Sequence, residues 1–266
     1  MSLRREIDAR LNLYDDLSGI LGAMRSFALA ELHRVGRNEA AQQLVVQSLS
    51  AALDDLAEAL PEPSQPAYDI WLLFGSVRGF CGGFNEDVIR AWRNANGASC
   101  PTLLFGERLH SLVGGATLLC IGGANGGLDA PAAIDRILAG INELRCGRSG
   151  ESGLIACIRD DDNINIRRLL PLPGNRRTAG GCLPLTHEPA PRIAAGVAEH
   201  YLFHNLLALL LRSIRVENHM RLMQMETALR HLEQGSEELK RQRNRLRQEE
   251  IVEEIELMIG IKRSAE

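Results

Sequence analysis

The run LMQMETALRHLEQGSEELKRQRNRL, residues 222–246, places Leu222, Met225, Leu229, Leu232, Leu239 and Leu246 in alternating steps of three and four. That spacing is the seam of a helix packed along a second helix, with Ser236 and Arg243 thinning it at two positions. Working outward, no proline follows Pro191, and only Gly196, Gly235 and Gly260 interrupt a succession of good helix formers. A single helix from Arg192 to about Gly260 would span on the order of 100 Å at 1.5 Å per residue. A helix of that length is not held by ordinary core packing, so the seam requires a partner helix.

The partner stands at the other end of the chain. The first 60 residues also lack proline, and Leu3, Ile7, Tyr14, Leu17, Leu21, Met24, Ala28 and Val35 follow similar stepping, broken at Arg10 and Glu31. Leu44 to Leu60 continues this helix with a wider apolar face until Pro61, Pro63 and Pro66 end it. Two unsatisfied seams at opposite termini predict an antiparallel coiled coil with whatever lies between them inserted at one end.

The insert has a different texture. Tyr68 to Phe74 reads as an apolar strand, followed by the turn Gly75-Ser-Val-Arg-Gly79-Phe-Cys-Gly82-Gly83-Phe-Asn85 and a helix from about Glu86 to Asn94. Further strands are expected at Pro101–Phe105, Ala116–Ile121, Leu154–Arg159 and Ile164–Leu170, with helices at Glu107–Val113 and Pro131–Leu144. The Gly122–Gly127 loop precedes the last of these helices, and Leu170-Pro-Leu-Pro-Gly174 opens a Gly/Pro-rich connection to Pro191. The expected fold class is therefore α+α/β: a long coiled coil of the N- and C-terminal helices carrying a small α/β domain with a mainly parallel sheet. The expected divisions are an N-terminal helix at 1–60, the α/β domain at 67–174 and a C-terminal helix at 192–266.

Composition narrows the function. A net charge of −4 and 4% aromatic residues argue against a dedicated nucleic-acid binder. No uninterrupted apolar run of 18 residues is present, so no membrane span is expected. Cys81, Cys100, Cys120, Cys146, Cys157 and Cys182 lie at wide, irregular spacings without metal-cluster pattern or signal peptide, and are read as reduced, mostly buried thiols.

The turn after the first strand is the one candidate for phosphate chemistry. A Walker ending of Gly-Lys-Ser/Thr is absent, and the glycines at 75, 79, 82 and 83 do not fit the dinucleotide spacing. A tight structural turn is the preferred reading. His200 and His204 could share a helix face but lack a third metal ligand, and Asp160-Asp161-Asp162 reads as a solvated turn. Lys240, Arg241, Arg243, Arg245 and Arg247 form a basic band preceding Glu249, Glu250, Glu253, Glu254 and Glu256. The band is either a solvated face with pairs such as Arg245–Glu249 or a surface that docks on acidic loops. No cofactor and no catalytic or metal residue is expected.

Three motifs then converge. Arg221-Leu-Met-Gln-Met225, Asn244-Arg-Leu-Arg247-Gln248 and Ile251-Val-Glu-Glu254-Ile255-Glu-Leu-Met-Ile-Gly260 resemble the C-terminal signature of the F-type ATP synthase gamma subunit. Ile20-Leu-Gly-Ala23-Met24 and Ala28 are similar to that family's N-terminal Lys-Ala-Met helix. Arg78-Gly79-Phe-Cys81-Gly82-Gly83-Phe-Asn85 is similar to its Arg-Gly-Leu-Cys-Gly-Gly-Leu-Asn turn, and Leu169–Pro173 and His187-Glu-Pro189 also align. The resemblance implies a non-catalytic rotary shaft inside the alpha/beta catalytic hexamer, with the epsilon subunit and the membrane c-ring as further partners. It also implies a peripheral position on the cytoplasmic face of a bacterial inner membrane. It places Arg247 and Gln248, with Asn244 and Arg245 beside them, at the beta subunit's catch loop, and Met24 at that subunit's acidic lever.

The chain departs from the pattern as a divergent, alternate-type member would. Gly22 stands where the family has the lysine before Ala-Met, and Glu31 replaces a second lysine. His219, Met220 and Gln224 replace small residues around Arg221, and Leu206, Leu207 and Leu209–Leu211 make an expected polar foot apolar. Two alternatives remain: a phosphate- or nucleotide-binding enzyme using the Gly75–Asn85 turn, and a coiled-coil adaptor.

Overall fold

The computed structural model describes residues 3–61, 64–113, 118–172 and 187–263. Pro63, Ala116, Thr117, Pro173, Gly174, Cys182 and most of the connection towards Pro191 lie outside the described residues. The order is helix α1 (Leu3–Asp55), strand β1 (Tyr68–Phe74), α2 (Phe84–Asn94), β2 (Thr102–Phe105) and α3 (Glu107–His110). Strand β3 (Leu118–Ile121), α4 (Ala130–Arg145), β4 (Ser152–Arg159), β5 (Ile164–Leu170) and α5 (Ala190–Arg263) follow. The chain divides into two compact units, Met1–Phe27 with Leu222–Glu266, and Ala28–Arg221.

In the first unit α1 and α5 run antiparallel. Arg4 pairs with Glu250 at 3.0 Å and Asp8 with Arg243 at 3.7 Å, so rising numbers on one helix meet falling numbers on the other. Tyr14 lies against Gly235, where an added Cβ would come within 2.7 Å of its ring. Ile7, Leu11, Met225 and Ser236 are buried between polar flanks. The expected seam needs correction here: Leu11 is a seam residue where the periodicity had broken at Arg10, whereas Leu3 and Leu17 are exposed. A helix that meets a single neighbour buries only a narrow stripe, and apolar residues one position off that stripe face water.

The second unit is built on a five-stranded sheet in the order β3-β2-β1-β4-β5. The β1–β2, β2–β3 and β1–β4 ladders are parallel, while β4–β5 is antiparallel. The sheet is thus mixed, not mainly parallel as expected. The cause is the turn at Asp160–Asn163, closed by Asp160 N–H donating to the Asn163 carbonyl at 2.8 Å. Four residues can reverse a chain but cannot make the crossover that a parallel pair needs.

Alternation along the strands sorts the two cores. Ile70, Leu72, Phe74, Leu103, Phe105, Ala156 and Ile158 face α4, α5 and Val35 of α1. Trp71, Leu73, Leu104, Ile155 and Cys157 face α2 and Leu109 of α3. Coverage of both faces explains why the central strands read as continuous apolar runs. It also accounts for the leucines of α5. By length and composition α5 contains one stretch apolar enough to cross a membrane, although no uninterrupted apolar run reaches 18 residues. Leu206, Leu207, Leu209, Leu210 and Leu211 are consumed by the sheet core. The wide apolar face expected past residue 44 is only partly used: Leu53 on α1 and Leu56 just after it are buried, Leu44 and Val45 exposed.

Candidate functional site

The Gly75–Asn85 turn is a closed structure. The Asn85 side chain accepts from Ser76 N–H at 2.9 Å and donates to Ser76 Oγ at 2.9 Å, stitching both ends of the turn together. Between them Phe80 and Gly82 take positive φ values of 61° and 58°, and Gly83 caps α2. Cys81 is buried, with its Sγ 3.4 Å from Ser76 Oγ. Burial pushes the Cys81 thiol up, the Ser76 hydrogen bond offsetting part of it, so the thiol is not poised as a nucleophile.

The turn's carbonyl oxygens point at a cation. Arg221 of α5 donates from Nε to the Gly79 carbonyl at 3.2 Å and from Nη2 to the Arg78 carbonyl at 3.5 Å. The same guanidinium reaches Asn218 Oδ1 at 2.9 Å and forms an ion pair with Glu217 one helical turn earlier. Glu217, Asn218 and Arg221 are all less than a tenth exposed. Burial raises the Glu217 carboxyl above its ordinary range, against the pull of Arg221. A phosphate cradle aims N–H groups at an anion. Here the Ser76 N–H is already used and two carbonyls face an arginine, which is the opposite polarity.

The strand ends after β4 are held by the same helix. Asp160 pairs with Arg212 at 2.7 Å, and Asp161 receives both terminal nitrogens of Arg215 at 3.0 and 2.9 Å. Arg215 also donates to Glu39 of α1 at 2.7 Å. The turn is solvated at Asp161 and Asp162 as expected, while Asp160 and Asp161 also latch it to α5. Only half of the signal lay in the sequence: Arg212 directly follows the most apolar stretch of the chain, where an unpaired arginine would be costly, but nothing there names its partner.

This latch fixes a pH dependence. The Arg215 hydrogen bond holds the Asp161 carboxyl below the usual carboxylate range, with Arg215, Arg212 and His219 charges adding to it. A depressed folded-state pKa contributes stability that is complete above the unfolded value, near 4, and lost as pH falls through the folded value. Acid unfolding followed by circular dichroism should therefore begin at higher pH in Asp161→Asn mixtures compared at matched temperature, and the stability difference between wild type and Asp161→Asn should shrink below about pH 4. A constant difference from pH 3 to 7 would rule the latch out as its source.

The residues that the resemblance assigns to partner contacts sit on the first unit. Asn244, Arg247 and Gln248 are exposed and share one face of α5 at i, i+3 and i+4, with Arg245 beside them. Arg245 pairs with Glu249 at 2.9 Å as the spacing predicted. Met24 is half-buried on α1. Tyr14 lies level with Gly235. Continuing the antiparallel register, Met24 lies level with residues near 225, about 30 Å of helix from Asn244 at 1.5 Å per residue. The structure does not bring Met24 together with the Asn244–Gln248 group.

His200 and His204 stack with ring centroids 6.4 Å apart, and His204 Nδ1 lies 2.6 Å from the Gln42 amide of α1. Among the described residues no group of three or more His, Cys, Asp and Glu side chains could hold a metal ion. The five described cysteines are all free, but only Cys81 and Cys157 are buried, which corrects the expectation of mostly buried thiols.

The architecture defined by these contacts is a pair of antiparallel terminal helices with a mixed α/β body between them in sequence. Chains of solved mitochondrial ATP synthases share this fold. The chain is similar to a chain of the Euglena gracilis mitochondrial ATP synthase rotor in rotational state 1, at 14% identity and TM-score 0.61, covering 93% of this chain and 98% of that one. It is similar to a chain of the Euglena gracilis OSCP/F1/c-ring assembly in rotational state 3, at 16% identity and TM-score 0.65, covering 98% and 94%. A chain of the Tetrahymena thermophila mitochondrial ATP synthase central stalk and c-ring matches at 18% identity and TM-score 0.58, covering 79% and 99%. At these identities the likeness is one of fold. No protein-family model and no curated protein sequence matches the chain.

Proposed function

We propose that the chain is the central-stalk rotor, or gamma, subunit of an F-type ATP synthase or ATPase. In this reading residues 1–60 and 192–266 form the shaft and 67–174 the α/β body. Its partners are the alpha and beta subunits of the catalytic hexamer, the epsilon subunit and the c-ring, on the cytoplasmic face of a bacterial inner membrane. The observation that supports it best is the antiparallel pairing of Arg4 with Glu250 and Asp8 with Arg243, in a chain 93% of which is similar in fold to a chain of a mitochondrial ATP synthase rotor.

The shaft breaks and makes no covalent bond. An asymmetric helix pair presents different side chains to each surrounding catalytic subunit, and turning it changes which subunit conformation is favoured. A ligand or partner shifts such an equilibrium only by its differential affinity for the states. Exposed contacts of modest strength, such as Arg247 and Gln248, suit a rotor because a tightly held orientation would stall it. The enzyme alternative loses support because the Gly75–Asn85 turn is engaged by its own Asn85 and by Arg221.

Purification of the native complex should recover alpha and beta subunits with this chain in a three-three-one ratio; recovery of the chain alone or with unrelated proteins would overturn the reading. Replacing Arg247 and Gln248 together by alanine should weaken ATP-driven ion pumping or assembly while leaving the thermal unfolding of the isolated chain unchanged. Pumping and recovery equal to wild type would remove these two residues from the contact.

A further inference from the structure

Glu31 departs most sharply from the resemblance, which implies a lysine at its position, and its surroundings explain the change. The side chain is almost wholly buried in the second unit. Its Oε1 accepts the Gly127 N–H at 2.7 Å, and its Oε2 accepts from Arg34 Nη1 at 3.2 Å. Gly126 and Gly127 belong to the loop that leads from β3 into α4. A Cβ on Gly126 would lie 2.6 Å from Glu31 Oε1, and one on Gly127 would lie 3.0 Å from Val35 Cγ2. The loop thus lies in close contact with Glu31 and Val35 of α1 at both glycines. Below the carboxylate, Val35 is fully buried in the same cluster as Ala130, Ala133 and Ile134 of α4.

The start of α4 lacks any acidic residue in its first turn, and its N-cap residue Asp129 makes no side-chain capping bond to the helix. Asp129 instead serves the loop, accepting from Asn125 N–H at 3.3 Å and Arg136 at 3.2 Å. The Asp129 carboxylate is thus turned to the loop and to Arg136, and the Gly127 N–H on the approach to the helix is left to the charge of Glu31. An anion placed against a glycine-rich strand-to-helix loop is the arrangement by which α/β folds hold phosphates and carboxylates.

We propose that Glu31 is an internal ligand: its carboxylate occupies the anion position of the Gly122–Gly127 loop and locks helix α1 to the α/β body by charge. The body thereby uses a glycine loop as a socket for its own helix. This concerns the chain's own packing and holds whether or not the chain turns inside a ring.

The test uses the full-length chain and three forms: wild type, Glu31→Ala and Glu31→Gln. The readout is amide hydrogen exchange at Gly127 and its loop, with and without sodium formate, against sodium chloride at equal ionic strength. Losing a charge-assisted hydrogen bond should speed Gly127 exchange roughly 10- to 100-fold in Glu31→Ala. Formate should restore protection in that variant and leave wild type unchanged, because the small carboxylate fills the vacated position. Wild-type exchange in Glu31→Ala, or restoration by chloride equal to that by formate, would overturn the proposal. Should Glu31→Ala fail to fold, the size-matched Glu31→Gln decides: faster Gly127 exchange supports the charge lock, and wild-type exchange refutes it.

Discussion

Replacing Arg221 by alanine should destabilise the chain by about 3–5 kcal/mol, the usual cost of removing one partner from a buried ion pair. Glu217 would be left charged and buried, and the Arg78 and Gly79 carbonyls would lose their donor. The penalty should depend on pH in a defined direction. Burial already raises the Glu217 carboxyl, and without Arg221 it rises further. A raised folded-state pKa gives stability that is present below the unfolded value, near 4.3, and lost as pH rises through the folded value. Urea unfolding of Arg221→Ala should therefore show a larger deficit at pH 8 than at pH 5. A deficit under about 1 kcal/mol, or one independent of pH, would mean that the network contributes no more than a surface pair. Arg221→Lys should recover part of the loss, since one ammonium cannot reproduce the guanidinium's several simultaneous donors.

Gly106→Ala should cost about 2–6 kcal/mol, adding backbone strain to forced displacement of a neighbouring strand end. Gly106 follows β2 with φ of 114°. An added Cβ would lie 2.5 Å from the Gly75 carbonyl oxygen and 2.8 Å from its carbon, which are backbone atoms that no rotamer change can move. Gly75 cannot retreat, because its N–H is bonded to the Phe105 carbonyl at 2.7 Å and Leu109 packs on its other side. Gly147 supplies the control. Its φ is 80°, yet nothing lies within 4 Å of the added atom, so Gly147→Ala reports strain alone. Equal losses in the two variants, measured by thermal unfolding, would show that the close approach of β1 and β2 loops is softer than the geometry indicates.

Local patterns carried much of the fold. Period-two and continuous apolar runs located β1 and β5 to the residue, and the absence of proline located both long helices. What escaped were features defined by partners far away in sequence. Nothing near Glu31 announces Gly127, and nothing near Asp161 announces Arg215. Leu11 was passed over because the stripe facing α5 can be told from its neighbour only once α5 is in place. The antiparallel β5 was legible in principle: the interval between Arg159 and Ile164 is too short for any crossover, a length argument stronger than strand count. The candidate contact residues Asn244 to Gln248 rest on resemblance, since an exposed polar helix face has the same appearance whether it meets water or a partner.

Arg4 and Glu250 touch across 246 positions of sequence, which sets an order of events during synthesis. A ribosome adding roughly 5–20 residues per second needs about 12–50 s between making the first and the second. Throughout that interval the opening helix is out of the tunnel without its mate, and its seam of Ile7 and Leu11 stays wet. The seam of the earlier helix is thus closed only after the residues around Glu250 have been made.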